Sequence, residues 1–209
     1  MDAIILAGGS GSRMNLRVEK PLVKICGRPM LFYVVDALRS SKCIKKIYVA
    51  TSPKTPKTKE WVEGKKLKNI DTPGIDYVSD TAEAARKMRL KHPFLAVSSD
   101  LPLINGGIID EVIDAYRASG KHALSVWVPE RIHKKLGVSR QSALKKGKTS
   151  LVPAGINIID GALIAEAQEE KMLVMEREEL AFNVNTADDV KACERYISRA
   201  TKRKKKCER

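Results

Sequence analysis

At 209 residues, with a formal net charge of +14 and 31% charged side chains, the chain is long enough to bury a core in one domain and is strongly basic. No apolar stretch approaches the roughly 18 residues of a membrane span. Met1-Asp2 leads into an apolar run without a signal-peptide pattern, so helical membrane insertion is excluded and a cytoplasmic protein is expected.

Cys26, Cys43, Cys193 and Cys207 form no C-x-x-C pair and lie far from any histidine at metal spacing, which speaks against zinc and against a disulfide framework. His92, His122 and His133 are equally isolated and read as surface or packing residues. The positive charge is uneven: Arg199, Lys202, Arg203, Lys204, Lys205, Lys206 and Arg209 face only Glu208. A domain over residues 1–198 and a disordered basic tail over 199–209 are expected. Such a tail is a solvated terminus or a contact for nucleic acid and acidic partners.

The chain opens on Asp2-Ala3-Ile4-Ile5-Leu6-Ala7, a short apolar run of the kind a buried parallel strand requires, and passes directly into Gly8-Gly9-Ser10-Gly11-Ser12-Arg13-Met14. Glycines at 8, 9 and 11 let backbone N–H groups approach an anion, and Arg13 and Lys20 add full positive charges. This combination predicts a triphosphate site. Two familiar alternatives fail. No window supplies G-x-x-x-x-G-K-[ST], and G-x-G-x-x-G finds Met14 where its third glycine belongs; the next strand, 46–51, also ends without the acid that holds a ribose.

Residues 29–39 repeat apolar side chains at helical spacing and predict the first crossover helix. After the strand at 46–51, the turn cluster 52–56 leads to a basic helix with Trp61 and Leu67 as its buried face. Residues 74–78 read as a short strand, with Asp80 or Thr81 capping a helix over 82–91. Phe94-Leu95-Ala96-Val97-Ser98-Ser99-Asp100-Leu101-Pro102 is a buried strand that delivers a carboxylate to its C-terminal edge, where α/β sheets bind ligands. A hard divalent ion carrying triphosphate takes one or two protein oxygens, so Asp100 is the expected metal ligand; capping the helix over 106–118 is the rival role.

A strand at 124–128 is followed by the basic segment 131–148, whose Lys134, Lys135, Lys145, Lys146 and Lys148 suit either a phosphorylated acceptor or plain solvation. Residues 151–159 read as a strand in which Gly155 marks a bulge or a close backbone approach. Phe182-Asn183-Val184-Asn185-Thr186 is expected as a strand entering the last helix, which continues to about residue 199. Alternation sets Asn183 and Asn185 on one face, with Asn185 capping the helix as the competing reading.

Leu6-Ala7-Gly8-Gly9-Ser10-Gly11-Ser12-Arg13-Met14, followed by Glu19-Lys20-Pro21-Leu22, resembles the paired signature of the nucleotidyltransferases that activate sugar phosphates and cofactor precursors. The resemblance implies an α/β, single-domain, Rossmann-like nucleotide-diphospho-sugar transferase fold with a mostly parallel central sheet. It assigns nucleotide contacts to Leu6, Ala7, Gly8, Gly9, Ser10, Gly11 and Lys20, and weaker guanine contacts to Asp80 and Thr81. It also assigns catalytic roles to Arg13, Lys20 and Asp100, acceptor contacts to Gly155 and Asn183, and Mg2+ to Asp100 and Asn185. Ser98-Ser99-Asp100-Leu101-Pro102, Pro153-Ala154-Gly155-Ile156-Asn157 and Asn183-Val184-Asn185-Thr186 are similar to the archaeal-type GTP:adenosylcobinamide-phosphate guanylyltransferases. That family transfers GMP from GTP to adenosylcobinamide phosphate in cobalamin assembly, so the implied partners are those two substrates, in a monomer or homodimer. Molybdenum-cofactor guanylyltransferases are the second match, and sugar-phosphate or cytidylyl enzymes the third. A basic nucleic-acid-binding protein is the reading from another class. An acceptor phosphate is already ionised, so no general base is needed, in keeping with the lack of a Ser/His or Cys/His pair.

Overall fold

The computed structural model describes residues 1–9, 11, 18–140 and 142–207, with 201–207 as backbone alone. In chain order its strands are β1 (Asp2–Leu6), β2 (Lys24–Ile25), β3 (Arg28–Pro29), β4 (Lys46–Thr51), β5 (Lys68–Asp71), β6 (Pro93–Ser98), β7 (Ala123–Pro129), β8 (Leu144–Lys146), β9 (Thr149–Asp160) and β10 (Glu170–Val174). The helices are α1 (Met30–Ser40), α2 (Pro56–Gly64), α3 (Tyr77–Lys87), α4 (Gly106–Ser119), α5 (Glu130–Leu136) and α6 (Ala187–Cys207).

The main sheet runs β10-β7-β9-β6-β1-β4-β5, with β8 paired to the start of β9, while β2 and β3 form a separate hairpin. β1 is parallel to β4 and β6, β4 to β5, and β10 to β7; β9 alone along this path runs antiparallel to its neighbours. The chain leaves β1 for β4 on one side and reaches β6 on the other, so the carboxyl ends of β1, β4 and β6 border the switch point at which such sheets bind ligands.

Helices cover both faces of the central strands, which is why those strands read as continuous apolar runs. Ala3 and Ile5 of β1 face one way, into a cluster with Leu31, Val34 and Leu38 of α1, Val62 of α2, and Ile109 and Ile113 of α4. Ile4 faces the other way, packing with Phe94, Ala96 and the Ala84–Ala85 pair of α3. Local signals set the helix ends: Asn105 accepts from the Ile108 N–H at the start of α4, and Gly120 closes it in the left-handed conformation.

The α/β class, the single domain and the mostly parallel sheet agree with the sequence reading. Several local expectations do not. No strand covers 74–78: the strand is β5, and Gly74 turns the chain at φ +72 into α3, capped by Asp76 rather than by Asp80 or Thr81. Asp76 accepts from both the N–H and the hydroxyl of Ser79, which makes it the stronger cap. Leu67 lies beyond α2, whose buried positions are Thr58 and Val62. Residues 182–186 are irregular because Val184 N–H is taken by the Asp100 carbonyl at 2.9 Å, and the last strand is β10, a half-polar edge strand. The segment 131–148 holds α5 and β8. α6 has helical backbone from Ala187 through Cys207.

Candidate active site

β1 ends at the glycine loop, and Lys20 follows it in a short 3-10 turn over Lys20–Leu22. Gly11 stands at φ +64, and a Cβ there would lie 2.7 Å from the Cβ of Lys20. Only a residue without a side chain lets the loop lie against that lysine. Glu19 fixes the other side: its carboxylate accepts from Lys57 N–H at 2.9 Å, Thr58 N–H at 2.7 Å and the Thr58 hydroxyl at 2.6 Å, meeting unpaired first-turn amides of α2.

From this mount the Lys20 ammonium donates to Asp100 Oδ2 in a direct ion pair, and to Asn185 Oδ1 at 2.8 Å. Asp100 arrives from the end of β6 and is 5% exposed; Asn185 arrives from the segment before α6 and is 3% exposed. The Asn185 amide is oriented by Asn183, whose carbonyl and side-chain oxygens accept from Asn185 Nδ2 at 2.9 and 2.7 Å. With its nitrogen held there, Asn185 turns its oxygen toward Lys20. Asn185 is not the helix cap; Thr186 Oγ1 takes the Asp189 N–H at 3.1 Å, and Asp189 Oδ2 takes the Thr186 N–H at 2.9 Å.

A divalent cation suits this donor set. Asp100 Oδ1 is buried and accepts no hydrogen bond among the described residues, while Asp100 Oδ2 and Asn185 Oδ1 both face a positive charge already. No group of three or more His, Cys, Asp or Glu capable of holding a metal occurs among the described residues. A hard ion that carries substrate oxygens and water needs only one or two protein oxygens of this kind.

Three turns converge beside the loop. Ser52, at the end of β4, donates to the Gly8 carbonyl at 2.7 Å, and Gly74 packs against Ser52. Asp80 is 6% exposed and accepts from Gly74 N–H at 2.9 Å and Ile75 N–H at 3.3 Å, with its second oxygen turned toward Gly8. Asp80 therefore holds the turn that faces the loop. Thr81 is drawn elsewhere: its hydroxyl donates to Tyr77 O at 2.6 Å, and it lines a cavity of about 320 Å³ beneath α3 with Tyr77, Asn157 and Ile159. The Tyr77 hydroxyl receives Asn157 Nδ2 at 2.9 Å, and burial pushes its pKa up, so the phenol stays neutral.

Gly155 sits at φ +76 where β9 bulges against β7, between the Ser125 and Trp127 registers. A Cβ there would come 3.1 Å from Ser98 Cβ and 3.6 Å from Asn183 Nδ2, so Gly155 lies directly beside Asn183. The structure thus gathers Gly8, Gly11, Lys20, Asp80, Asp100, Gly155, Asn183 and Asn185 at one end of the sheet; Leu6 and Ala7 lead into the loop, and Gly9 is exposed on it. Ser10 and Arg13 lie outside the described residues. Lys134 and Lys135 pair with Glu130 and Glu178 at the surface.

Sequence reasoning missed Ser52, the bracing role of Glu19, and Asp189. Asp189 is 3% exposed; hydrogen bonds from Ser139, Asn185 and Thr186 outweigh burial and hold its carboxyl below the usual range. A Thr-x-x-Asp spacing at 186–189 is the local signal for the cap, whereas its bond to Ser139 leaves no trace in the sequence.

Residues 3–175 match the family model described as the MobA-like NTP transferase domain. The adenosylcobinamide-phosphate guanylyltransferase of Methanocaldococcus jannaschii is 39% identical over 209 residues, spanning 95% of this chain and 98% of its own. Among solved structures, a hypothetical transferase from Thermus thermophilus superposes with a TM-score of 0.67 at 15% identity, covering 90% of this chain and 98% of its own. A CMP:2-keto-3-deoxy-manno-octonic acid synthetase complexed with CTP gives 0.62 at 14% identity, covering 85% and 90%. These two likenesses concern the fold.

Proposed function

The chain belongs to the MobA-like NTP transferase family, and from that premise we propose that it is the nucleotidyltransferase that moves GMP from GTP to adenosylcobinamide phosphate, releasing pyrophosphate. The choice of acceptor is supported by the near full-length likeness to the M. jannaschii enzyme of that name. One observation carries the mechanism: Lys20 from the glycine-loop motif, Asp100 from the end of β6 and Asn185 from before α6 meet at a single point.

In this reading the acceptor phosphate oxygen bonds to the α-phosphorus of GTP as the bond from that phosphorus to the bridging oxygen breaks, and the electron pair leaves with pyrophosphate. The nucleophile needs no base, so the barrier is charge repulsion and misalignment. Backbone N–H groups of the loop at residues 8–11 receive the triphosphate, and Arg13 and Lys20 neutralise it. Asp100 and Asn185 would hold a magnesium ion, which would supply further charge neutralisation and alignment of the phosphate oxygens. Lys20 then exchanges the carboxylate of Asp100 for phosphate oxygens. The turn that Asp80 secures, with Ile75 exposed upon it, serves the base end, and Gly155 with Asn183 borders the acceptor.

Calorimetric titration with GTP, ATP, CTP and UTP, with and without magnesium, tests the donor; pyrophosphate release with adenosylcobinamide phosphate or molybdopterin tests the acceptor. Selective GTP binding with turnover of adenosylcobinamide phosphate is the expected result. Turnover of molybdopterin alone would transfer the chain to the molybdenum-cofactor branch, and the absence of nucleotide binding would overturn the proposal. Nucleic-acid binding is not needed to explain the chain, since the body belongs to a small-molecule transferase family.

A further inference from the structure

We propose that Asp189 is a positioning residue for the metal-facing oxygen of Asn185, with Ser139 as its anchor on the connection that follows α5. The inference rests on the guanylyltransferase reading and adds to it a contact between segments far apart in the chain.

The Asp189 carboxylate is shared between two segments far apart in sequence. Oδ1 accepts from Ser139 N–H at 2.7 Å and Oδ2 from the Ser139 hydroxyl at 2.5 Å. Oδ2 also accepts from Asn185 N–H and Thr186 N–H, each at 2.9 Å. A helix cap needs only the second set. The first set brings the donors to four on a residue 3% exposed, one on Oδ1 and three on Oδ2, so both carboxylate oxygens are tied to the protein.

What it holds is the backbone of Asn185. The amide of that residue is pinned on its nitrogen side by Asn183 and points its oxygen at the Lys20 ammonium, which also contacts Asp100. The orientation of Asn185 Oδ1 therefore has two supports: Asn183 sets the rotation of the amide, and Asp189 sets the position of the backbone that carries it. Groups standing behind a metal ligand in this way typically govern metal affinity by 10–100-fold. Ser139 brings in a further element: its connection leads from α5 to the β8–β9 hairpin, which enters the sheet beside Gly155. A displacement of that hairpin is thus felt at Asn185 through one carboxylate.

The test measures Mn2+ affinity by electron paramagnetic resonance of the full chain, with and without GTP, for wild type, Ser139→Ala, Asp189→Asn and Asp189→Ala. Ser139→Ala keeps the cap bonds and guards against variants that fail to fold. Asp189→Asn retains one acceptor oxygen and must release either Ser139 or the 185–186 amides. The expected result is a fall in Mn2+ affinity of the GTP complex on the order of tenfold in Asp189→Asn and a smaller fall in Ser139→Ala. GTP affinity without metal stays at the wild-type level, measured well below each variant's melting temperature. A purely structural role would lower the melting temperature and leave the metal affinity unmoved. Folded variants with wild-type metal affinity overturn the inference alone. A wild-type protein whose GTP complex binds no Mn2+ overturns the metal reading beneath it, and the inference with it.

Discussion

Lys20 and Asp100 are in direct contact, the ammonium resting on Oδ2 of the carboxylate while the other carboxylate oxygen is buried and accepts no hydrogen bond among the described residues. The positive charge of Lys20 thus occupies the side of Asp100 that a cation would otherwise take. Asp100→Asn should lower transfer about 10²–10³-fold while the variant folds and still binds GTP without metal. Lys20→Met should bind Mn2+ alone more tightly than wild type, because the carboxylate loses its built-in counterion, yet transfer poorly. Wild-type turnover in Asp100→Asn, or weaker Mn2+ binding in Lys20→Met, would remove the metal role.

Glu19 is predicted to matter through α2. Truncation in Glu19→Ala leaves Lys57 N–H and Thr58 N–H without their acceptor and should cost about 1–2 kcal/mol of stability. GTP binding should weaken as well, because Lys20 follows Glu19 directly. Thermal melting and GTP titration of the variant check both parts, and an unchanged GTP affinity would sever the link between α2 and the loop.

Gly11→Ala should be costly out of proportion to its size. The added Cβ meets the Cβ of Lys20 at 2.7 Å at a residue with φ +64, and the left-handed conformation alone costs about 1 kcal/mol or more. The expected outcome is a folded protein of reduced melting temperature in which transfer falls more than stability does. Equal activity at a temperature where both proteins are folded would show that the loop does not depend on this contact.

His133 on α5 is expected to contribute to the loss of stability in mild acid. It is 2% exposed, and burial pushes its imidazole below the usual 6.5. Its folded pKa is depressed, so the unfolded chain takes up the proton first: the contribution is intact above 6.5 and is lost as pH falls from 6.5 through the folded value. His133→Leu should flatten the loss of urea midpoint between about pH 7 and about pH 5. A parallel fall in wild type and variant would assign the acid sensitivity to other groups.

Local sequence carried much of the site. The glycine loop, Lys20 and Asp100 were legible because a strand, its turn and the residue after it are consecutive, and an apolar run buried on both faces admits few readings. Asn183 and Asn185 were paired for partly the wrong geometry: they meet through the turn of an irregular segment, not through strand alternation, and Val184 between them pairs with the backbone of Asp100. β10 escaped notice since an edge strand with Glu170 and Lys171 exposed carries no apolar period. The cap at Asp76 was hidden by the neighbouring Asp80, an equally good cap by composition that the fold uses instead to secure Gly74 and Ile75. Contacts such as Ser139 to Asp189 depend on where two distant segments land, which no local pattern records.

β9 runs against every strand beside it along the sheet, so its two flanking connections lie at opposite poles of the molecule: the β8–β9 hairpin at the mouth of the site, and the turn after Asp160 at the base. β1, β4 and β6 precede β9 in the chain, whereas Asn183 and Asn185 follow it. A change in the length of the hairpin would therefore leave the glycine loop, Lys20 and Asp100 on their own strands and would reach Asn185 through the Ser139–Asp189 contact.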